Sequence, residues 1–274
     1  MVTQEQRKRQ LAREKFLRQQ QRRTSARRKA RMRNSVIASV LGVIVIGSVA
    51  LYTTGVMKND DKSNASANVT PTPSASATKK APDPCEKAAA GKIKTETWKK
   101  EPAVTIDKSA KYTMTLATTC GDIDIALKTS AAPHTVNSFN FLAGKGFFDH
   151  TKCHRLTTSG IYVLQCGDPT GAGSGGPGYT IPDENLKDTS LKGGTYPAGT
   201  VAMANTGQKH TGGSQFFLVY KDSQLPASYT PFGTISASGM KVLNKIAAAG
   251  ESTGAGDGAP NATVVINKAT VTKS

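Results

Sequence analysis

Residues 36–56 run for 21 positions without one charged side chain, and this run limits the chain more than any other feature. A helix over it would be about 30 Å long at 1.5 Å per residue, the thickness of a bilayer's hydrocarbon core. Residues 1–33 hold thirteen Lys and Arg against Glu5 and Glu14, so eleven of the net +17 charges sit on one side of the run. The positive-inside bias then predicts a cytoplasmic N-terminus and an exported remainder. A cleaved signal peptide, with Ser48-Val49-Ala50 as the small-residue site, is the rival reading. Its basic region would be unusually long, and the apolar run continues past Ala50. The expectation is a single-pass protein of the cell membrane, anchored by a transmembrane helix over 34–57.

The basic tail, 1–33, reads as a cytoplasmic arm drawn to anionic lipid headgroups, each cation near the surface contributing about 1 kcal/mol. Its rival is RNA or ribosome contact. No nucleic-acid partner is expected, because the charge is confined to the tail rather than spread over a folded surface.

From 58 to 84 the chain is mostly Asn, Ser, Ala, Thr, Pro and Lys with almost no large apolar residue, which cannot bury enough surface to offset ordering, so a disordered stalk is expected. Residues 85–110 form a pre-domain extension with Trp98, Val104 and Ile106 as its apolar points, expected to lie along a domain spanning 111–274. There the alternation of 112–118 and 123–127 about Thr119-Cys120-Gly121-Asp122 predicts a hairpin. Pro133 opens a helix with Val136, Phe139 and Leu142 inward, and Gly144 and Gly146 end it. Short strands are expected at 153–157, 162–166, 199–203, 216–220 and 231–235, a second helix over 240–249, and a closing strand over 263–271. Many short strands with two helices suggest an antiparallel barrel capped at its ends.

All four cysteines follow the apolar run, so an exported domain would oxidise them into two disulfides. Cys153 and Cys166 fall opposite each other at the open end of one predicted hairpin, about 4.5 Å apart at Cα, close enough to bridge. Elimination then pairs Cys85 with Cys120. Four reduced thiols, or a Cys120–Cys153 link, are the alternatives.

The chemistry lies in spaced motifs: Cys153-His154-Arg155-Leu156, Gln165-Cys166-Gly167-Asp168, Met203-Ala204-Asn205 and Gly213-Ser214-Gln215-Phe216-Phe217. They offer no nucleophile with its base. His150, Cys153, His154 and Cys166 do not make a plausible zinc set, since consecutive strand residues face opposite ways. The glycine-rich stretch 167–178 lacks a Gly-Lys-Ser/Thr ending and reads as a long turn rather than a phosphate loop. Such a site binds and polarises without exchanging covalent bonds, and no metal or cofactor is expected.

These motifs, in this order over about 111–273, resemble the cyclophilin family of peptidyl-prolyl cis-trans isomerases. The whole plan looks most like the membrane-anchored cyclophilins of actinobacteria. The resemblance implies a mostly β fold, a closed eight-stranded antiparallel barrel with one helix over each end. It makes Arg155 the catalytic guanidinium and Phe217 the floor of a proline pocket. Gln165 and Gln215 match glutamines near the arginine, Ala204 and Asn205 a backbone-binding segment, and Leu225 the pocket rim. Tyr162 and Val163 fall on the usual phenylalanine and methionine, displaced by a loop after Arg155 about two residues longer than common. Tyr229 falls where histidine is frequent. His154 completes the family's histidine-arginine pair and reads equally as a packed strand histidine. Gln224 departs from the tryptophan that many members use to bind cyclosporin. The implied partners are proline-containing exported polypeptides, met by a monomer. A proline-peptide-binding module with little turnover, or nucleic-acid binding through the tail, are the competing functions.

Overall fold

The computed structural model describes residues 82–274; the tail, the anchor expected over 34–57 and nearly all of the expected stalk lie outside them. Among the described residues no helix is long and apolar enough to cross a membrane.

The fold starts from the hairpin of β1 (Tyr112–Thr118) and β2 (Gly121–Leu127). Alternation sends Tyr112, Met114 and Leu116 inward from one strand and Ile123, Ile125 and Leu127 from the other. The turn needs Gly121, whose φ is +125° and whose added Cβ would press against Val242. Helix α1 (Pro133–Gly144) follows, Pro133 in its first turn and Phe139 at the centre of an aromatic cluster with Phe148, Phe216 and Phe232. Its N-cap residue, Ala132, has no side-chain acceptor. The Glu184 carboxylate supplies one from a distant loop, accepting the N–H groups of His134 at 3.0 Å and Thr135 at 2.9 Å.

Short strands complete the domain: β3 (Thr151–Lys152), β4 (Arg155–Thr157), β5 (Val163–Cys166), β6 (Thr195–Tyr196), β7 (Thr200–Met203), β8 (Phe216–Val219), β9 (Ser223–Gln224) and β10 (Pro231–Ile235). After α2 (Ala237–Ala248) come β11 (Asp257–Gly258) and β12 (Val265–Lys273). Helix α2 begins three residues before the expected start because the Ser236 hydroxyl caps Gly239 N–H at 3.0 Å. Helix α1 lies against β12 and α2 against β2.

Ten strands form one antiparallel sheet in the order β11-β4-β5-β8-β7-β10-β2-β1-β12-β3, while β6 and β9 pair separately. The sheet is a curled half-barrel, not the closed eight-stranded barrel expected. The reason lies in residues 151–157. Their first part pairs with β12 and their last with β5, so the segment changes partners midway. Cys153 N–H bonds to Val264 on one side and His154 N–H to Gln165 on the other. Single main-chain bonds cross the seam where a ladder would have closed it.

The inner face holds the main core, which includes Leu156, Leu164, Leu218 and Val201. A second, smaller apolar cluster of Val163, Tyr196, Ala202, Phe217 and Val219 lies on the opposite face. Disulfides join Cys85 to Cys120 and Cys153 to Cys166. The first ties the extension to the β1–β2 turn, and the second leaves neither Cys153 nor Cys166 free to ligate a metal.

Candidate active site

Register builds the site. Across β4, β5, β8 and β7, Arg155 stands opposite Gln165, Gln165 opposite Phe217, and Phe217 opposite Ala202. Period-two alternation therefore places these four residues in one row on the face away from the main core. Their neighbours Leu156, Leu164, Leu218 and Val201 form the matching row inside.

At the end of the row the Arg155 guanidinium is held on three sides. Nε donates to Asp257 Oδ1 at 2.7 Å and Nη2 to Asp257 Oδ2 at 2.8 Å, a bidentate pair, while Nη1 donates to Gln165 Oε1 at 3.2 Å. One N–H on each terminal nitrogen remains for another acceptor. The chain of donors continues from Gln165 Nε2 to Gln215 Oε1 at 2.9 Å, and from Gln215 Nε2 to the Gly175 carbonyl at 2.9 Å. Hydrogen bonding to Arg155 holds the Asp257 carboxyl below its ordinary range. The same bond pushes the guanidinium's proton affinity higher still, so the cation is permanent.

Gly175 is itself fixed by the buried Asp168, whose Oδ1 would collide with any Cβ there. Asp168 accepts Thr170 N–H at 2.7 Å and Gly173 N–H at 2.6 Å. Burial alone would raise its carboxyl, but these donors outweigh it and the net shift is downward. The glycine-rich stretch is thus a long turn with a carboxylate at its centre.

Beside Arg155 lies a cavity of about 110 Å³ lined by Ile161, Val163, Gln165, Ala204, Asn205, Phe217, Leu225 and Tyr229. Phe217 and Tyr229 meet edge to face, 5.4 Å between ring centres. Tyr229 is held by the buried Tyr196, whose hydroxyl donates to the Tyr229 carbonyl at 2.7 Å and accepts its N–H at 3.2 Å. Burial pushes the Tyr196 phenol up to about 12. The Asn205 side chain is tied back to the Ser228 carbonyl and to Gly207 N–H. Its own main-chain N–H and C=O have no partner among the described residues, leaving an edge on which an extended peptide can pair.

Of the residues singled out from the sequence, Arg155, Val163, Gln165, Ala204, Asn205, Phe217, Leu225 and Tyr229 line this one cavity, and Gln215 reaches it through Gln165. Two are not brought there. Tyr162 alternates to the other side of Val163, where its ring packs against Tyr220 at 5.8 Å under the Lys221 ammonium. Ile161 takes the place expected of Tyr162. His154 likewise points opposite to Arg155, and neither ring nitrogen has a hydrogen-bond partner. Burial lowers its pKa, Asp168 partly restores it, and the Arg155 charge lowers it further. Gln224 projects outward and donates to the Thr195 hydroxyl at 2.6 Å, outside the cavity.

Sequence reasoning missed Asp257, Tyr196 and Ile161. Asp257 stands between two glycines about a hundred residues from its partner, and only the pairing of β11 with β4 brings them together. Tyr196 reads as an isolated aromatic in a loop.

A family model described as "Cyclophilin type peptidyl-prolyl cis-trans isomerase/CLD" matches residues 113–271. The probable peptidyl-prolyl cis-trans isomerase B of Mycobacterium leprae is 47% identical over 195 residues, 68% of this chain and 62% of that protein. Its Mycobacterium tuberculosis counterpart is 49% identical over 165 residues, 57% of this chain and 53% of that one. The chain therefore spans less than two thirds of either relative. A crystal structure of a Cryptosporidium parvum cyclophilin type isomerase, in the presence of the dipeptide Ala-Pro, is 26% identical. It superposes with a TM-score of 0.48 over 59% of this chain and 99% of that one.

Proposed function

The chain belongs to the cyclophilin-type peptidyl-prolyl cis-trans isomerase family, and from that premise we propose that it accelerates X-Pro isomerisation at the cavity beside Arg155. The observation that carries this reading is the position of the guanidinium: two unspent N–H donors at the mouth of a small cavity walled by Phe217, Leu225 and Tyr229.

The barrier to rotation, about 18–20 kcal/mol, comes from delocalisation of the prolyl nitrogen lone pair into the carbonyl. As the bond twists, that pair localises on nitrogen, which becomes a hydrogen-bond acceptor. Arg155 is placed to donate to it when the ring sits on Phe217, an interaction stronger in the twisted state than in either planar one. Gln165 and Asp257 hold the guanidinium so that little reorientation is needed. Asn205 offers main-chain groups to grip the flanking peptide. No covalent bond forms or breaks, so no base, metal or cofactor enters.

The clients we propose are proline-containing segments of exported polypeptides, met outside a membrane that residues 34–57 span and whose anionic headgroups the basic tail contacts. What supports this is the charge asymmetry about the apolar run and the two disulfides of the folded domain. A binding module with little turnover is the second reading, favoured by the bidentate Asp257, which neutralises much of the Arg155 charge.

Isomerisation of an X-Pro peptide by the full chain, beside Arg155→Ala, separates them. The isomerase reading expects the variant to lose about 10²–10³-fold in turnover, about 2.7–4 kcal/mol, with peptide affinity changed far less. Peptide binding without turnover by the unaltered protein would replace it with the binding module.

A further inference from the structure

A larger groove of about 920 Å³ adjoins the proline cavity and shares Gln165, Ala204 and Asn205 with it, so a peptide seated in one must pass the other. One wall is the glycine-rich turn. The rim beside that turn comes from outside the matched domain: Lys99, Lys100 and Glu101 of the pre-domain extension.

That rim is anchored. Trp98 N–H donates to the Pro177 carbonyl at 2.8 Å, and the Trp98 ring packs edge-on against Phe141 at 5.1 Å. Gly178 lets the two backbones approach so closely that a Cβ there would meet the Trp98 carbonyl at 2.9 Å. Immediately past Glu101, Asn137 grips the Pro102 and Ala103 carbonyls. The extension therefore presents Lys99 and Lys100 at a set place rather than on a loose arm.

The charges on this rim do not cancel. Glu101, the one carboxylate lining the groove, has Oε1 2.7 Å from Nδ1 of His134. Lys99 and Lys100 are exposed and form no ion pair among the described residues. The rest of the lining mixes hydroxyls and amides, among them Thr206, Thr211 and Ser214, with glycine backbone and the apolar surfaces of Pro177, Tyr179 and Ala204. The rim therefore carries two ammonium groups against one carboxylate, a net positive edge.

We infer that Lys99 and Lys100 make this groove a specificity subsite for an acidic side chain flanking the proline of a bound peptide, an inference that rests on the proline-peptide reading of the neighbouring cavity. The preferred clients are then segments in which Asp or Glu lies within a few residues of proline. Lys beside proline is disfavoured by the same two charges.

The test uses the full chain and a set of peptides with one proline and a single Glu, Ala or Lys placed in turn at each flanking position. Both affinity, by titration, and kcat/KM are read at low and high ionic strength. At one flanking position the Glu peptide should exceed the Lys peptide about fivefold to tenfold, the size expected of one or two exposed ion pairs. Salt should shrink the ratio, and the double substitution Lys99→Glu with Lys100→Glu should invert it. Equal values within twofold at every position, or a preference that survives the charge reversal, would overturn the inference. Charge preference in affinity without turnover would keep the subsite and remove the isomerase. Turnover without charge preference would remove the subsite alone.

Discussion

At the residue scale the most consequential pair is Arg155 with Asp257. The carboxylate costs the guanidinium part of its field but fixes its plane, and orientation is what a donor aimed at one nitrogen needs. Asp257→Ala should therefore lower kcat about threefold to tenfold with KM nearly unchanged, a loss of orientation rather than of binding. Peptide turnover checks it, and an Asp257→Ala enzyme with the kcat of the unaltered protein would mean the pair is incidental. The pH profile carries the sign. The folded-state pKa of Asp257 is depressed by its bond to Arg155, so the pair is intact above the ordinary Asp value of about 3.9 and is lost as pH falls through the lower folded value. Turnover should thus fall toward the variant's level only in strong acid, and Asp257→Ala should lack that step.

At the scale of elements, the helices and hairpins were legible because each carries its own periodicity and punctuation. Pro133 and Gly144 bracket α1, and the alternating 112–118 and 121–127 state their inward faces. The shared face of Arg155, Gln165 and Phe217 was legible too, since pairing between short strands fixes which of two adjacent residues shares a face. What was not legible depends on contacts between distant segments. Asp257 needs β11 beside β4, the seam needs residues 151–157 to change partners, and Tyr162 gives way to Ile161 through a turn whose length alone does not set its phase. Glu184 belongs to this group. It caps α1 from a loop about fifty residues on, doing for Ala132 what a Ser or Asp would do locally. Glu184→Ala should cost about 1–2 kcal/mol in urea unfolding, with Glu184→Gln intermediate because one carbonyl oxygen remains to accept. An unchanged midpoint in Glu184→Ala would show that solvent caps the helix equally well.

At the scale of the molecule, two disulfides tie together parts that secondary structure leaves loose. Cys153–Cys166 closes a separation of 13 residues, and Cys85–Cys120 one of 35. Chain-entropy reasoning assigns them about 3 and about 4 kcal/mol through the unfolded state. Reductant should shift the denaturant midpoint downward, and Cys85→Ser with Cys120→Ser should reproduce the larger share; coincident oxidised and reduced curves would refute it. The Cys85–Cys120 bridge holds the extension that carries Lys99 and Lys100, so its loss should also blunt any charge preference of the groove. The sheet order has one more consequence, in time rather than in space. Strand β12, the last in chain order, lies inside the sheet between β1 and β3 and contributes Val265, Ile266 and Ala269 to the buried interior. Strand β1, the first to emerge during synthesis or translocation, waits some 150 residues for that neighbour. The sheet is therefore completed only once the whole domain has left the machinery that makes or moves it, and until then its first hairpin presents an unpaired edge to whatever chains surround it.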